Sequence, residues 1–360
     1  MKTYLFVRNK KYRPSTYYRV FQYLDGNIEM NYEFIEYETN LFYEKKSKFL
    51  FINLFYLLVY ALMPGHLRRI IGLIKIVNSK ESYKVFIQRE CFPRKISPLG
   101  KILLEKVLKE ANEVYWDFDD NIFDALEISK FEENLLNKYA TLIIVGNTFL
   151  QSKVKGNKNI LVLNTSDKMM EDIRLDFINE DRKGTFNEEL ILIWVGTKSN
   201  LIFLEKIIIE IDKAAIKMPN KKVILKVVSN KKLEVSTKCL IVDNIQWNRR
   251  LAFEEMLKAH IGIMPLSENQ LTLGKCAFKA VQAIGCGLPV IVSDVGMNKD
   301  VIVKDNGILI KSKMEWESAI INLGSQVDKW EGYSIRSREL WLESFNSNKN
   351  QSVLLDLLTD

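Results

Sequence analysis

The 360-residue chain reads as an α/β protein built from two Rossmann-like halves. Short β-branched runs alternate with helical patterns along most of its length, and that alternation implies parallel sheets. The strand runs are continuously apolar, so each sheet is covered on both faces. The length exceeds what one ordinary core supports. A polar stretch at 166–189, SDKMMEDIRLDFINEDRKGTFNEE, interrupts the pattern near its middle. These observations place a first domain at 1–168, a linker at 169–189 and a second domain at 190–345. The tail, 346–360, is expected to pack back on the first domain.

The strands are expected at Lys84–Gln88, Glu113–Phe118, Thr141–Val145 and Asn159–Leu163 in the first half. In the second half they are expected at Leu190–Val195, Lys222–Val228, Leu240–Val242, His260–Met264, Pro289–Ser293 and Gly307–Ile310. Each is a run of Val, Ile, Leu or aromatic residues bounded by turn formers. Apolar residues at helical spacing predict helices at Leu99–Ala111, Phe131–Tyr139, Leu201–Met218 and Arg249–Lys258, then Lys275–Ile284, Glu315–Leu323 and Tyr333–Phe345.

Composition removes several classes. Sixteen Gly and seven Pro exclude a collagen-like or low-complexity chain. Cys91, Cys239, Cys276 and Cys286 form no C-x-x-C pair, which argues against a disulfide scaffold and a structural zinc site. They read as reduced thiols. His66 and His260 are too few for a His-rich metal site. No G-x-G-x-x-G is present, which disfavours a dinucleotide dehydrogenase. The opening MKTYLFVRNKKYRP is broken by charge and lacks a signal-peptide apolar core, so a cytoplasmic location is expected.

Charge is uneven. Residues 45–101 hold twelve Lys/Arg against Glu81 and Glu90, a surplus of ten that exceeds the whole-chain net of +7. Inside lies Phe49–Met63, FLFINLFYLLVYALM. Fifteen helical residues span roughly 22 Å, short of the ~30 Å hydrocarbon core. Two readings stand: a buried helix, or an in-plane helix at 45–69 on the inner face of the cell membrane. In the second, Lys45, Lys46, Lys48, Arg68 and Arg69 meet anionic head groups. Nucleic acid is not an expected partner, because the aromatics cluster in the apolar run instead of alternating with basic residues.

The most specific stretch is His260–Asn298, HIGIMPLSENQLTLGKCAFKAVQAIGCGLPVIVSDVGMN. It reads as strand, loop, helix, Gly turn, strand and Gly-containing loop. A helix starting after Gly274 would present a positive dipole end to a phosphate. Lys275 and Lys279, spaced i and i+4, would share one face there. Gly274 would allow close backbone approach. The plainer alternative is an ordinary βαβ unit with surface lysines.

This stretch resembles the retaining GT-B glycosyltransferases of the family-four type, glycosyl transferases group 1. The resemblance rests on Pro265, Leu266, Gly274, Lys275, Lys279, Gln282, Gly287, Pro289, Val290, Ser293, Val295, Gly296 and Asn298. It extends to Gly196 after the first strand of the second half, to Asn306-Gly307 and to Trp316. In the first half it includes Gln88-Arg89-Glu90, Asp117-x-Asp119-Asp120 and Gly146-Asn147. It implies GT-B architecture, with two Rossmann-like domains facing each other across a cleft. Gly274 and Gln282 occupy the two positions of the family's Glu-x7-Glu donor motif. The implied donor site is Gly196, Lys198, Trp247, Gly274, Lys275, Lys279, Gln282, Gly296 and Asn298, with Trp247 beside the base. His260, where the group usually has Asp, reads as structural.

No nucleophile is named by this comparison. Asp117, Asp119 and Asp120 end a strand in the half opposite the phosphate-type helix, and carboxyl ends of parallel strands face ligands. They are therefore acceptor-side candidates, with helix N-capping and solvation as the alternative. A D-x-D pair also holds Mn²⁺ or Mg²⁺ in a different glycosyltransferase fold. Here the lysines are expected to replace the metal, and no cofactor is expected. The implied activity is hexosyl transfer from a nucleotide-sugar to a lipid-linked or oligosaccharide acceptor in surface polysaccharide or lipopolysaccharide synthesis. The alternatives are a non-catalytic scaffold subunit, motivated by Gly274, and a nucleotide-sugar epimerase.

Overall fold

The computed structural model describes residues 1–25, 31–45, 47–156 and 158–359. The chain forms two compact units, Met1–Thr165 with Asn348–Asp360, and Ser166–Ser347. The first holds strands β1 (Lys2–Val7), β2 (Tyr32–Glu36), β3 (Tyr83–Gln88), β4 (Glu113–Phe118), β5 (Leu142–Val145) and β6 (Ile160–Val162). All pair in parallel in the order β2-β1-β3-β4-β5-β6. Leu5, Val7, Phe86, Tyr115 and Ile144 line one core of this unit. β1 and β2 have no counterpart among the expected strands. In β2, YEFIE, glutamates interrupt the apolar residues; in β1, KTYLFV, the apolar run is short and lies between Lys2 and Arg8.

The second unit holds β7 (Glu189–Val195), β8 (Lys222–Ser229), β9 (Ile241–Gln246), β10 (Ile261–Met264), β11 (Val290–Ser293) and β12 (Gly307–Ile310). These too are parallel, in the order β12-β11-β10-β7-β8-β9. Its core joins Leu192 and Trp194 to Leu225, Val227, Ile261 and Ile291. Read from β7, this is the doubly-wound order whose direction reverses between the first and fourth strands. Such sheets bind ligands outside the carboxyl ends at that switch point. The switch points are β7/β10 in this unit and β1/β3 in the other.

Three expectations need correction. Residues 169–189 are not a linker: Leu175–Phe186 is a helix of the second unit that buries Asn179, Arg182 and Phe186. The polarity of this stretch serves internal hydrogen bonds. Buried Arg182 donates to the carbonyls of Met256 and Leu257, ending one helix, and of Cys286 and Gly287, ending another. A cation at helix C-termini satisfies orphan carbonyls and opposes the dipole. The tail is also helical, at Ser347–Leu358, and places Leu354 and Leu358 in the first unit's core.

The second correction concerns the apolar run. It is not a core helix: the Leu50–Leu57 segment buries no residue. It belongs to one helix, Leu50–Asn78, long and apolar enough by length and composition to cross a membrane. The third concerns Arg69, which cannot meet head groups. It is fully buried and donates to the carbonyls of Ile35 and Val7. Lys45, Lys48 and Arg68 are exposed, and Lys46 lies outside the described residues.

Candidate functional site

The second unit's switch point gathers most of the expected donor residues. β7 ends at Val195, and Gly196 donates its N–H to Val228 O at 3.1 Å. A 3-10 turn follows at Lys198–Asn200; the Lys198 N–H donates to Asn230 Oδ1 at 2.8 Å. Trp247, half-buried at the end of β9, donates its backbone N–H to Ser229 O at 3.0 Å. Gly196, Lys198 and Trp247 thus share the rim formed by the ends of β7, β8 and β9. The Lys198 side chain is exposed.

The loop after β10 differs from the expectation. No helix begins at Lys275. A short turn of helix, Gln270–Leu273, is closed by a capping box between Asn269 and Thr272. Gly274 ends it at φ −77°, an angle open to any residue, so its conformation does not require glycine. The main helix starts at Phe278, after Ala277 at φ 47° in the left-handed region. That angle costs a non-glycine residue about 1–2 kcal/mol. Lys275 and Lys279 therefore do not share a helix face. Lys275 Nζ instead donates to Asn200 Oδ1 at 2.7 Å, tying this loop to the turn after β7 across the switch point. It also stands 5.9 Å from the centroid of the Phe203 ring.

Lys279 lies in the first turn of the Phe278–Gly285 helix, whose N-cap, Ala277, supplies no capping side chain. Its Nζ donates to Gln282 Oε1 at 2.8 Å, and Gln282 Nε2 donates to Asp167 Oδ2 at 2.5 Å. Burial pushes the Lys279 ammonium down to about 8; Asp167 opposes the shift and Arg249 adds to it. Burial raises the Asp167 carboxyl, against the Gln282 hydrogen bond. Asp167 had no sequence signal because it sits in the polar stretch at 166–189 that reads as a domain boundary. Asn200 and Asn230 were equally silent, being ordinary turn residues until the fold sets them at strand ends.

Gly296 and Asn298 hold this loop in place. Gly296 has φ 56°, and a Cβ there would meet Leu273 O at 2.9 Å. Asn298 is buried and donates from Nδ2 to Ser293 O at 3.0 Å, so it supports the loop after β11. A pocket of about 350 Å³ opens at the ends of β10–β12, bordered by Phe203, Lys206, Pro265, Ser293, Lys311 and Trp316. His260 is fully buried. Its Nδ1 accepts the Ile191 N–H at 2.9 Å, while Nε2 faces Arg182 O at 3.0 Å. Burial holds its pKa near 4, so the ring is neutral and binds strand to helix.

The first unit's switch point carries a charged network. Arg8 Nε meets Glu90 Oε1 at 2.5 Å, bridging the ends of β1 and β3. Arg89, at φ 69°, donates to Asp120 at 2.9 Å, Asp119 at 3.3 Å and Glu127 at 2.7 Å. The three aspartates therefore do not act as one cluster. Asp117 is buried, and both its oxygens accept from Arg19 Nε at 2.9 Å. Burial raises its pKa against that pull. This pairing corrects its place among acceptor-side candidates: Asp117 is committed to the fold, whereas Asp120 keeps a half-exposed side chain. The capping alternative does not hold either, since the next helix is capped by Ser129.

Residues 191–326 match the family of glycosyl transferases group 1. No curated protein matches the chain. Among solved structures it is similar to Anabaena HepE in complex with UDP-glucose, 12% identical over 99% of each chain, with a TM-score of 0.63. It is also similar to sucrose-phosphate synthase from Thermosynechococcus elongatus, 15% identical over 82% of this chain and 78% of that one, with a TM-score of 0.56. Staphylococcus aureus TarM in complex with UDP is 13% identical over 82% of this chain and 59% of its own, with a TM-score of 0.55. These likenesses establish the fold, an α/β GT-B architecture of two parallel sheets.

Proposed function

We propose that this chain, a group 1 glycosyl transferase across residues 191–326, moves a hexose from a nucleotide-sugar to a lipid-linked or saccharide acceptor. The acceptor would belong to surface polysaccharide or lipopolysaccharide synthesis at the inner face of an anionic membrane. Transfer would retain the anomeric configuration and need no divalent metal. The observation that carries the reading is the Lys275–Asn200 hydrogen bond across the β7/β10 switch point, with Lys279 in the adjoining helix turn.

A departing nucleoside diphosphate gains negative charge in the transition state. Fixed cations and a helix N-terminus aimed at it stabilise that charge without reorganising. The anomeric carbon passes through an oxocarbenium-like state, as in glycoside hydrolysis. Lys198, Lys275 and Lys279 would hold the diphosphate, Gln282 the ribose, and Trp247 the base. Asp119 and Asp120, steered by Arg89, would face the acceptor.

Release of nucleoside diphosphate from a panel of UDP-, GDP- and dTDP-sugars tests the reading; no turnover of any donor would favour the scaffold alternative. Activity is expected to survive EDTA, because Asp117 is held by Arg19 and is not free to pair with Asp119 on a metal. Loss in EDTA with rescue by Mn²⁺ would overturn metal independence. The pH profile of kcat/KM for the donor should be flat below about pH 8. Above that it should fall about tenfold per unit as Lys279 loses its proton. Lys279→Arg should carry that limb beyond pH 10; a limb that stays put would exclude Lys279 as its source.

A further inference from the structure

We infer that the Leu50–Asn78 helix lies flat in one leaflet of an anionic bilayer along its whole length, rather than crossing it or dipping in end-on. The inference rests on the membrane-surface reading above and adds the inserting face and its orientation.

Two opposite faces of the helix set the geometry. The buried face is Ala61, Gly65, Arg69, Leu73 and Ile76. Arg69 ties it to the carbonyls at the ends of β1 and β2. Gly65 lets it approach so closely that a Cβ would meet the Tyr37 ring and carbonyl at 2.7 Å. The C-terminal half is thus fixed along the first unit's sheet, and no part of it is available to span hydrocarbon.

The other face is apolar and open. Leu50 is 74% exposed, Phe51 71%, Leu67 60% and Ile71 55%. The stripe runs Phe51, Phe55, Leu58, Met63, Leu67 and Ile74, in steps of three, four or seven except for one step of five. In an α-helix a five-residue step swings a side chain by roughly 140°. Here the five-residue step coincides with the π-helical turn Leu58–Leu62, which absorbs one extra residue. The π turn therefore keeps one apolar face continuous for about 35 Å. A helix dipping in end-on would not need that continuity past Met63. The neighbouring Pro98–Glu110 helix adds exposed Leu99 and Ile102.

Charge selects the occupant. Lys45, Lys48, Arg68, Arg94, Lys95 and Lys101 are exposed around this face. An apolar stripe edged by cations matches an anionic lipid surface, with both insertion and electrostatic terms. A second copy would bring the same cations against themselves.

The test uses the full chain with vesicles of phosphatidylcholine alone or with 30% phosphatidylglycerol. A polarity-sensitive dye is placed on Phe55→Cys, Met63→Cys or Ile74→Cys in a Cys239→Ser background, Cys239 being the exposed native thiol. Binding should need the anionic lipid and weaken in high salt. All three dyes should report one shallow depth with depth-resolved quenchers. Leu54→Glu with Leu67→Glu, both exposed, should cut vesicle affinity at least tenfold with the thermal unfolding curve unchanged. No binding to either vesicle would remove the membrane reading and this inference together. Binding with the dye at 55 deep and the dye at 74 in water would overturn only the flat orientation. Dye burial without lipid, with a doubled hydrodynamic mass, would assign the face to a second copy.

Discussion

Replacing Lys279 by Met should lower kcat/KM for the nucleotide-sugar by about 100-fold or more, on the scale of removing one transition-state donor. Stability should hold or rise. The folded pKa, about 8, lies below the ordinary lysine value, so the fold disfavours the charged form. That cost is fully present below pH 8 and disappears as pH climbs toward 10.5. Relieving it is worth on the order of 1–3 kcal/mol, offset by the lost hydrogen bond to Gln282 at about 1 kcal/mol. Activity lost while stability is kept marks a residue held for its ligand. Steady-state kinetics beside a denaturant titration reads both. Equal losses in both would make Lys279 a structural residue.

Arg19→Met should destabilise the chain by about 3–5 kcal/mol, because it strands the buried Asp117 carboxylate. Arg19 also donates to Leu163 O and Thr165 Oγ1, so those acceptors lose partners too. The penalty should shrink as pH falls. Without Arg19 the buried carboxyl titrates above its unfolded value, and once protonated it no longer carries the uncompensated charge. Pairing Arg19→Met with Asp117→Leu should restore part of the loss, since an apolar pair of similar volume often replaces a buried ion pair. A single variant as stable as the parent across pH 5–8 would show that the pair carries no such energy.

These two residues show what the sequence discloses. Lys279 stands out because its stretch has a recognisable order of strand, Gly turn and basic residues. Arg19 has no such context. It meets Asp117 across 98 positions, and only the pairing of β4 with its neighbours brings them together. Most of the expected strands are legible because buried parallel strands are continuously apolar; β2 is not, because Glu33 and Glu36 interrupt it, and the apolar run of β1 is short and lies between Lys2 and Arg8. The helix start at 275 misleads for a local reason. KCAF follows helical spacing, but the left-handed Ala277 breaks the chain direction, and nothing in an alanine announces that angle. The polar segment at 166–189 misleads in the opposite sense: Arg182 and Asn179 point inward, where Arg182 donates to carbonyls and Asn179 to the Ser334 hydroxyl.

The apolar run illustrates a further limit. Composition leaves core and membrane equally open. Burial decides against the core, and the buried Arg69 decides which face remains outward. Exposed apolar stripes of this extent mark interaction surfaces on soluble domains.

The central claim is that a nucleoside diphosphate binds the second unit at Lys279. Calorimetric titration of UDP, GDP and dTDP at pH 8.5, in buffers of differing ionisation heat, tests it most directly. A bound diphosphate should draw a proton onto Lys279, so binding in the parent chain should be accompanied by fractional proton uptake that disappears in Lys279→Met. Binding with no proton uptake, or with uptake unchanged in Lys279→Met, would contradict it.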